Sequence, residues 1–203
     1  NPLLQNYWMV IHPPTLFLGF AVCIVPFSFA ISSLRLREYK AWIKYAKKWL
    51  IVSIIILGVG IMMGAYWAYE TLNFGGYWNW DPVENAVYVP WLFLVAALHS
   101  IILTQKNNQN YKMSLILCVT SFILILYSTF LTRSGILGDS SVHSFTDLGL
   151  SGQLLVYLFS FLLISIYLLV SRWKDIPYSD KEAKVYTGDF WLFIGVYTLI
   201  LMS

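Results

Sequence analysis

Leu50-Ile51-Val52-Ser53-Ile54-Ile55-Ile56-Leu57-Gly58-Val59-Gly60-Ile61-Met62-Met63-Gly64-Ala65-Tyr66-Trp67-Ala68 is a run of nineteen residues without a charged side chain. As a helix rising 1.5 Å per residue it is roughly 28 Å long, close to the ~30 Å hydrocarbon core of a bilayer. In lipid the backbone must satisfy its own polar groups, and a helix does so within one segment. Further apolar runs lie near 10–33, 86–104, 113–131, 152–171 and 189–203. The last is still apolar at Ser203, and the chain opens at Asn1 rather than Met. The expectation is an all-α, polytopic transmembrane bundle of about six spans, read as one unit over 1–203 and as an internal piece of a longer protein.

Composition agrees. Hydrophobic residues make up 59% of the 203 and charged residues only 11%, with a mean hydropathy of +0.67. Soluble domains carry about 25% charged residues, so lipid is the solvent this sequence expects. Cys23 and Cys118 fall inside apolar runs with no C-x-x-C pair, which reads as packing rather than thiol chemistry.

Charge placement sets an expected orientation. The 34–49 loop holds Arg35, Arg37, Lys40, Lys44, Lys47 and Lys48; the 105–112 loop holds Lys106 and Lys112; the 172–188 loop holds Arg172, Lys174, Lys181 and Lys184. Twelve of the thirteen basic residues thus lie on one side, and only Arg133 on the other. Short loops that retain positive charge stay cytoplasmic, so the 69–85 and 132–151 loops are expected outside. The basic 35–48 run reads as a topology signal touching anionic lipid, not as a nucleic-acid surface.

The first of those outside loops contains Gly75-Gly76-Tyr77-Trp78-Asn79-Trp80-Asp81-Pro82-Val83-Glu84-Asn85. Interfacial anchoring accounts for one or two aromatic residues at a membrane boundary. It does not account for two tryptophans one residue apart, after Gly-Gly and before an acidic turn. Trp78 and Trp80 suit the faces and edges of a flat ligand, and Gly75 and Gly76 would let backbone approach it. Asp81-Pro82-Val83-Glu84 reads as an N-cap, a first-turn proline and a capping-box glutamate. Asp81 and Glu84 are therefore expected mainly to start the next helix.

The three histidines are His12, before Pro13-Pro14; His99, deep in the third run; and His143, in the 132–151 loop. A lone histidine is usually structural, but an ionisable residue in hydrocarbon is usually functional. Neutral imidazole is a common axial ligand of haem iron, and His12 and His99 are the intramembrane pair available to clamp one. His99 lies roughly 20 Å along a helix from Asn85. For His12 to reach that depth, its helix is expected to begin near Leu3 or Leu4, with Pro13-Pro14 kinking it without ending it. Arg133 has two readings, a snorkelling interface residue and a cationic partner for a haem propionate.

Together these segments resemble the CcmF haem-lyase family of the cytochrome c maturation system. Asn1-Pro2-Leu3-Leu4-Gln5, His12-Pro13-Pro14 with Gly19, Gly75-Gly76-x-Trp78-x-Trp80-Asp81-Pro82-Val83-Glu84-Asn85, Leu98-His99-Ser100, Arg133-Ser134-Gly135 and Ser141-Val142-His143-Ser144-Phe145 carry the resemblance in order along the chain. It implies that His12 and His99 ligate a resident haem b. It also implies that His143, as the first of two outside histidines whose partner is expected beyond Ser203, serves an incoming haem b, the substrate, with Gly75, Gly76, Trp78, Trp80, Asp81 and Arg133. That haem would come from a CcmE-like chaperone and be attached to the Cys-x-x-Cys-His motif of an apocytochrome c presented by CcmH- or CcmI-like subunits. The implied location is the bacterial inner membrane, in contact with lipid, or the mitochondrial inner membrane.

The sequence departs from the family pattern at Tyr77 and Asn79, at an inserted-looking Gly138-Asp139-Ser140, and in having no histidine after His143. CcsA- or CcmC-type haem handlers, a nitrite-reductase-specific paralogue, a haem transporter or scaffold without lyase activity, and a cofactor-free structural protein stay open at this point.

Overall fold

The structure is a computed structural model describing residues 5–72, 75–108, 110–137, 149–178 and 187–202. All regular structure there is helical: α1 (Tyr7–Val22), α2 (Ile24–Leu36), α3 (Ala41–Thr71), α4 (Pro82–Asn107), α5 (Tyr111–Arg133), α6 (Ser151–Arg172) and α7 (Gly188–Met202). Helices α1 and α2 are two parts of one 30-residue apolar rod, so five segments among the described residues are long and apolar enough to cross a membrane. Helix α7, at 15 residues, is roughly 22 Å long and falls short of the hydrocarbon thickness. The sixth expected span is thus a shorter apolar helix among the described residues.

The first rod starts at Tyr7, later than the expected Leu3 or Leu4. Asn6 stops it there by accepting the Trp8 N–H on its side chain at 2.8 Å, the usual N-cap bond. Pro13 and Pro14 lie inside α1 without ending it. The break falls instead at Cys23. Pro26 explains it, because its ring has no N–H and crowds the carbonyl of Val22, four residues back.

Helix α3 spans 31 residues, roughly 46 Å. It exceeds the bilayer core because it starts at Ala41, within the stretch read as a basic loop. Trp42, Ile43, Ala46 and Leu50 are buried there, while Lys44 and Lys48 are exposed and Lys47 is half-buried, so an apolar stripe continues the helix out of the lipid.

Packing follows from these rods. Helix α1 runs along α3, α4 packs against α3, α5 and α7, and α5 also meets α2 and α6. The rings of Phe27, Phe122 and Phe161 join α2, α5 and α6, with centroids 4.6–5.8 Å apart. Several buried hydroxyls are bonded within the bundle: Ser53 donates to the Trp49 carbonyl and Thr132 to that of Ser128. Ser114 meets both Ser100 and Thr104 at 2.8 Å across the α4–α5 seam. Cys23 and Cys118 are buried free thiols. One end of the bundle carries the tryptophan segment between α3 and α4, and the other the basic connections.

Candidate functional site

The tryptophan segment is shaped by the helix it precedes. Asp81 accepts the Val83 N–H at 2.7 Å, and Glu84 accepts the Asp81 N–H at 3.2 Å. With Pro82 in the first turn, this completes the expected capping box. Glu84 also accepts the Asn79 N–H at 2.9 Å, and the Asn85 amide donates to the Trp80 carbonyl at 3.1 Å. Gly75 adopts φ +73° with nothing near the position of an added Cβ. It therefore serves the turn through its conformational freedom. Gly76 follows it in the same turn.

The two tryptophans differ. Trp78 is half-buried and packs edge-on against Tyr88 of α4 at 5.7 Å, and Tyr88 stacks on Trp91 at 6.0 Å. Trp80 is 69% exposed and meets Trp78 edge-on at 6.3 Å. Tyr77 stacks on Tyr69 of α3 at 4.3 Å and leans toward Tyr66, which abuts Trp8 of α1 at 4.9 Å. Below this aromatic end, Trp8, Gly58, Met62, Tyr66 and Trp91 line part of an apolar groove of about 600 Å³.

His12 sits one turn below Trp8, on the α1–α3 seam. Its Nδ1 lies 2.7 Å from the Gly60 carbonyl. A carbonyl only accepts, so Nδ1 carries the proton and the lone pair is on Nε2. The ring fits because Gly64 has no side chain: a Cβ there would lie 2.5 Å from His12 Cε1. Leu16 rests on Gly60 and Leu57 on Gly19, making a small-residue seam. The Gly60-x-x-x-Gly64 spacing was the sequence signal for it. Arg133, half-buried at the end of α5, holds its guanidinium over the Phe17 ring at 5.1 Å.

His99 belongs to α4. Its Nδ1 lies 2.8 Å from the Val95 carbonyl one turn back in its own helix, which again puts the lone pair on Nε2. Metal-bound histidines commonly use this arrangement, one ring nitrogen held by a carbonyl and the other on the metal. Both histidines therefore have the tautomer that an Nε2 ligand to haem iron requires.

The structure does not bring His12 and His99 together. The Trp91 indole donates to the Ile54 carbonyl at 3.0 Å and lies on Gly58, at or below the level of His12. His99 follows Trp91 by eight residues, ~12 Å further toward the basic end. Allowing for side-chain reach, the two imidazoles differ in depth by on the order of 10 Å, and α3 is the helix that α1 and α4 share. Axial ligands of one iron face each other across the porphyrin, so this arrangement does not make the expected clamp. Its cause is the later start of α1, which keeps His12 shallow. His143 lies outside the described residues.

The fold and these residues define the class: a polytopic helical membrane protein with two ligand-competent histidines beneath an aromatic end. Residues 1–137 match the model of the family described as cytochrome C assembly protein, and the chain belongs to that family. It is 41% identical over 167 residues to the cytochrome c-type biogenesis protein CcmF of Pseudomonas aeruginosa, covering 82% of this chain and 25% of that protein. It is 37% identical over 160 residues to the biogenesis protein NrfE of Haemophilus influenzae, covering 78% and 25%. A solved structure titled cytochrome c haem lyase CcmF superposes with a TM-score of 0.74 at 28% identity, over 96% of this chain and 29% of that one. The chain thus spans about a quarter of the length of these curated relatives.

Proposed function

We propose that this chain is the haem-presenting part of a cytochrome c haem lyase, with its tryptophan segment on the periplasmic side of a bacterial inner membrane. One observation carries the reading: two histidines at different depths below that segment, each donating Nδ1–H to a carbonyl, the tautomer that an Nε2 ligand needs. The charge bias of the loops supports the orientation, and the family supports the pathway.

In this reading the histidines serve two haems. His12 and His143 belong to the incoming haem b, the substrate, with Trp78 and Trp80 against its ring and Arg133 near a propionate. Asp81 contributes as the cap that sets the segment, since a carboxylate beside a propionate would repel it. His99 belongs to a resident haem b, whose second axial ligand is not His12. When bound, that group supplies one-electron redox chemistry. The protein's part is to fix both imidazole tautomers and keep His99 away from bulk water. A CcmE-like chaperone delivers the substrate haem, and CcmH- or CcmI-like subunits present the apocytochrome. Each cysteine sulfur then bonds to one vinyl carbon, and the thiol proton ends on the other.

The test is reconstitution of the whole protein with haem-loaded chaperone and apocytochrome, scored for covalent haem. His143→Ala is expected to lose covalent attachment and retain the deeper haem spectrum. Unchanged attachment in that variant would exclude His143 as a substrate-haem ligand. Haem bound without any thioether product would assign a carrier or scaffold instead.

A further inference from the structure

Trp80 has φ +53°, a left-handed conformation that is rare and costly for a bulky side chain. Such a backbone persists only where its surroundings over-determine it, and here they do. Glu84 Oε2 accepts the N–H groups of Asn79 and Asp81, which flank Trp80 on either side. The Asn85 side chain donates to the carbonyl of Trp80 itself. The peptide group after the tryptophan is thereby held at both its N–H and its carbonyl, and the N–H of the residue before the tryptophan is tied to the same carboxylate. A capping box requires only the Glu84 bond to Asp81. The bonds to Asn79 and Trp80 add nothing to the helix start.

We propose that Glu84 and Asn85 are positioning residues that clamp Trp80 in its left-handed conformation, so that its indole stands out from the membrane end as a porphyrin platform. The proposal rests on the haem-facing reading of the tryptophan segment. The φ angle sets the direction of the Cα–Cβ bond relative to the preceding peptide, so releasing the clamp redirects the indole. Trp78 needs no such device, because Tyr88 already holds it from below. The segment thus carries one ring fixed by packing and one fixed by backbone hydrogen bonds.

The experiment titrates haemin into the full chain in lipid nanodiscs and follows Trp80 by fluorine NMR of 5-fluorotryptophan, its signal assigned by loss in Trp80→Phe. Glu84→Ala and Asn85→Ala are expected to weaken haemin binding about tenfold, as Trp80→Ala does, and to shift or broaden the Trp80 resonance. Glu84→Gln should restore both, since one amide oxygen can accept both N–H groups. In a Trp80→Gly background, where positive φ is unstrained, Glu84→Ala should weaken binding no further. A purely helix-capping role would cost the same in both backgrounds, and that outcome would overturn the clamp. So would an unchanged Trp80 resonance in Glu84→Ala. Asn85→Ala carries the test if Glu84→Ala does not fold, because it leaves the capping box intact. Haemin binding unchanged in Trp80→Ala, with the resonance still shifted in Glu84→Ala, would refute the platform role while leaving the clamp standing.

Discussion

His12 and His99 reach the same chemical state by different routes. Each donates Nδ1–H to a carbonyl and keeps its lone pair on Nε2, yet His99 uses Val95 of its own helix and His12 uses Gly60 of another. The His99 arrangement is local: it needs only a helix and an i−4 carbonyl. The His12 arrangement exists only while α1 lies against α3, which two glycines permit. A ligand-ready histidine can therefore be built within one helix or by a helix pair, and only the second depends on packing.

That comparison can be broken directly, most severely at the histidines themselves. His99→Ala is expected to remove the spectrum of the deeper haem, and His12→Ala to leave it in place while losing attachment of the substrate haem, measured by Soret spectra and covalent product. Loss of the deeper spectrum in both variants would restore a shared iron and refute the two-site reading.

The next effect is at the seam. Gly64→Val should displace the His12 ring and cost about 1–3 kcal/mol by overpacking, lowering thermal stability together with attachment. Val95→Ala should leave the His99 spectrum intact, because its hydrogen bond goes to backbone. A third, smaller effect concerns the polar seam next to His99. Ser114→Ala removes the hydroxyl shared by Ser100 and Thr104 and should cost about 1 kcal/mol, read by detergent-resistance melting.

The smallest lies at the basic end, where the Lys106 ammonium and Asn107 amide bond to Asp189. Their hydrogen bonds hold the partly exposed Asp189 carboxyl below its ordinary value of 3.8. The folded pKa is thus depressed: the contribution is present above pH 3.8 and lost as pH falls through the lower folded value. Asp189→Asn should flatten a slight acid dependence of the melting temperature and lower it slightly at neutral pH, where the carboxylate's contribution is present.

Much of this was legible in the amino-acid order. The apolar runs located all five long spans, because length and hydropathy alone decide what crosses lipid. Asp81-Pro82-Val83-Glu84 announced its capping box, because capping depends on neighbours within one turn. Other features were not legible. The presence of proline did not tell the cases apart, since α1 is continuous through Pro13 and Pro14 while the break falls at Cys23, ahead of Pro26. The shallow seat of His12 depends on Asn6 stopping the helix and on Gly60 and Gly64 admitting the ring. Asn79 looked like a departure from a pattern, and only the fold showed its N–H bonded to Glu84.

The sequence by itself determined the class of protein, the number of long spans, the helix start beneath the tryptophans and the residue types able to hold haem. Each rests on composition or on contacts between near neighbours in the chain. Tertiary structure alone decided that His12 and His99 sit at different depths, that Trp78 is anchored while Trp80 stands exposed, and that Gly64 makes room for an imidazole. These depend on where one helix meets another, and residues such as His12 and Gly60 are far apart in the chain.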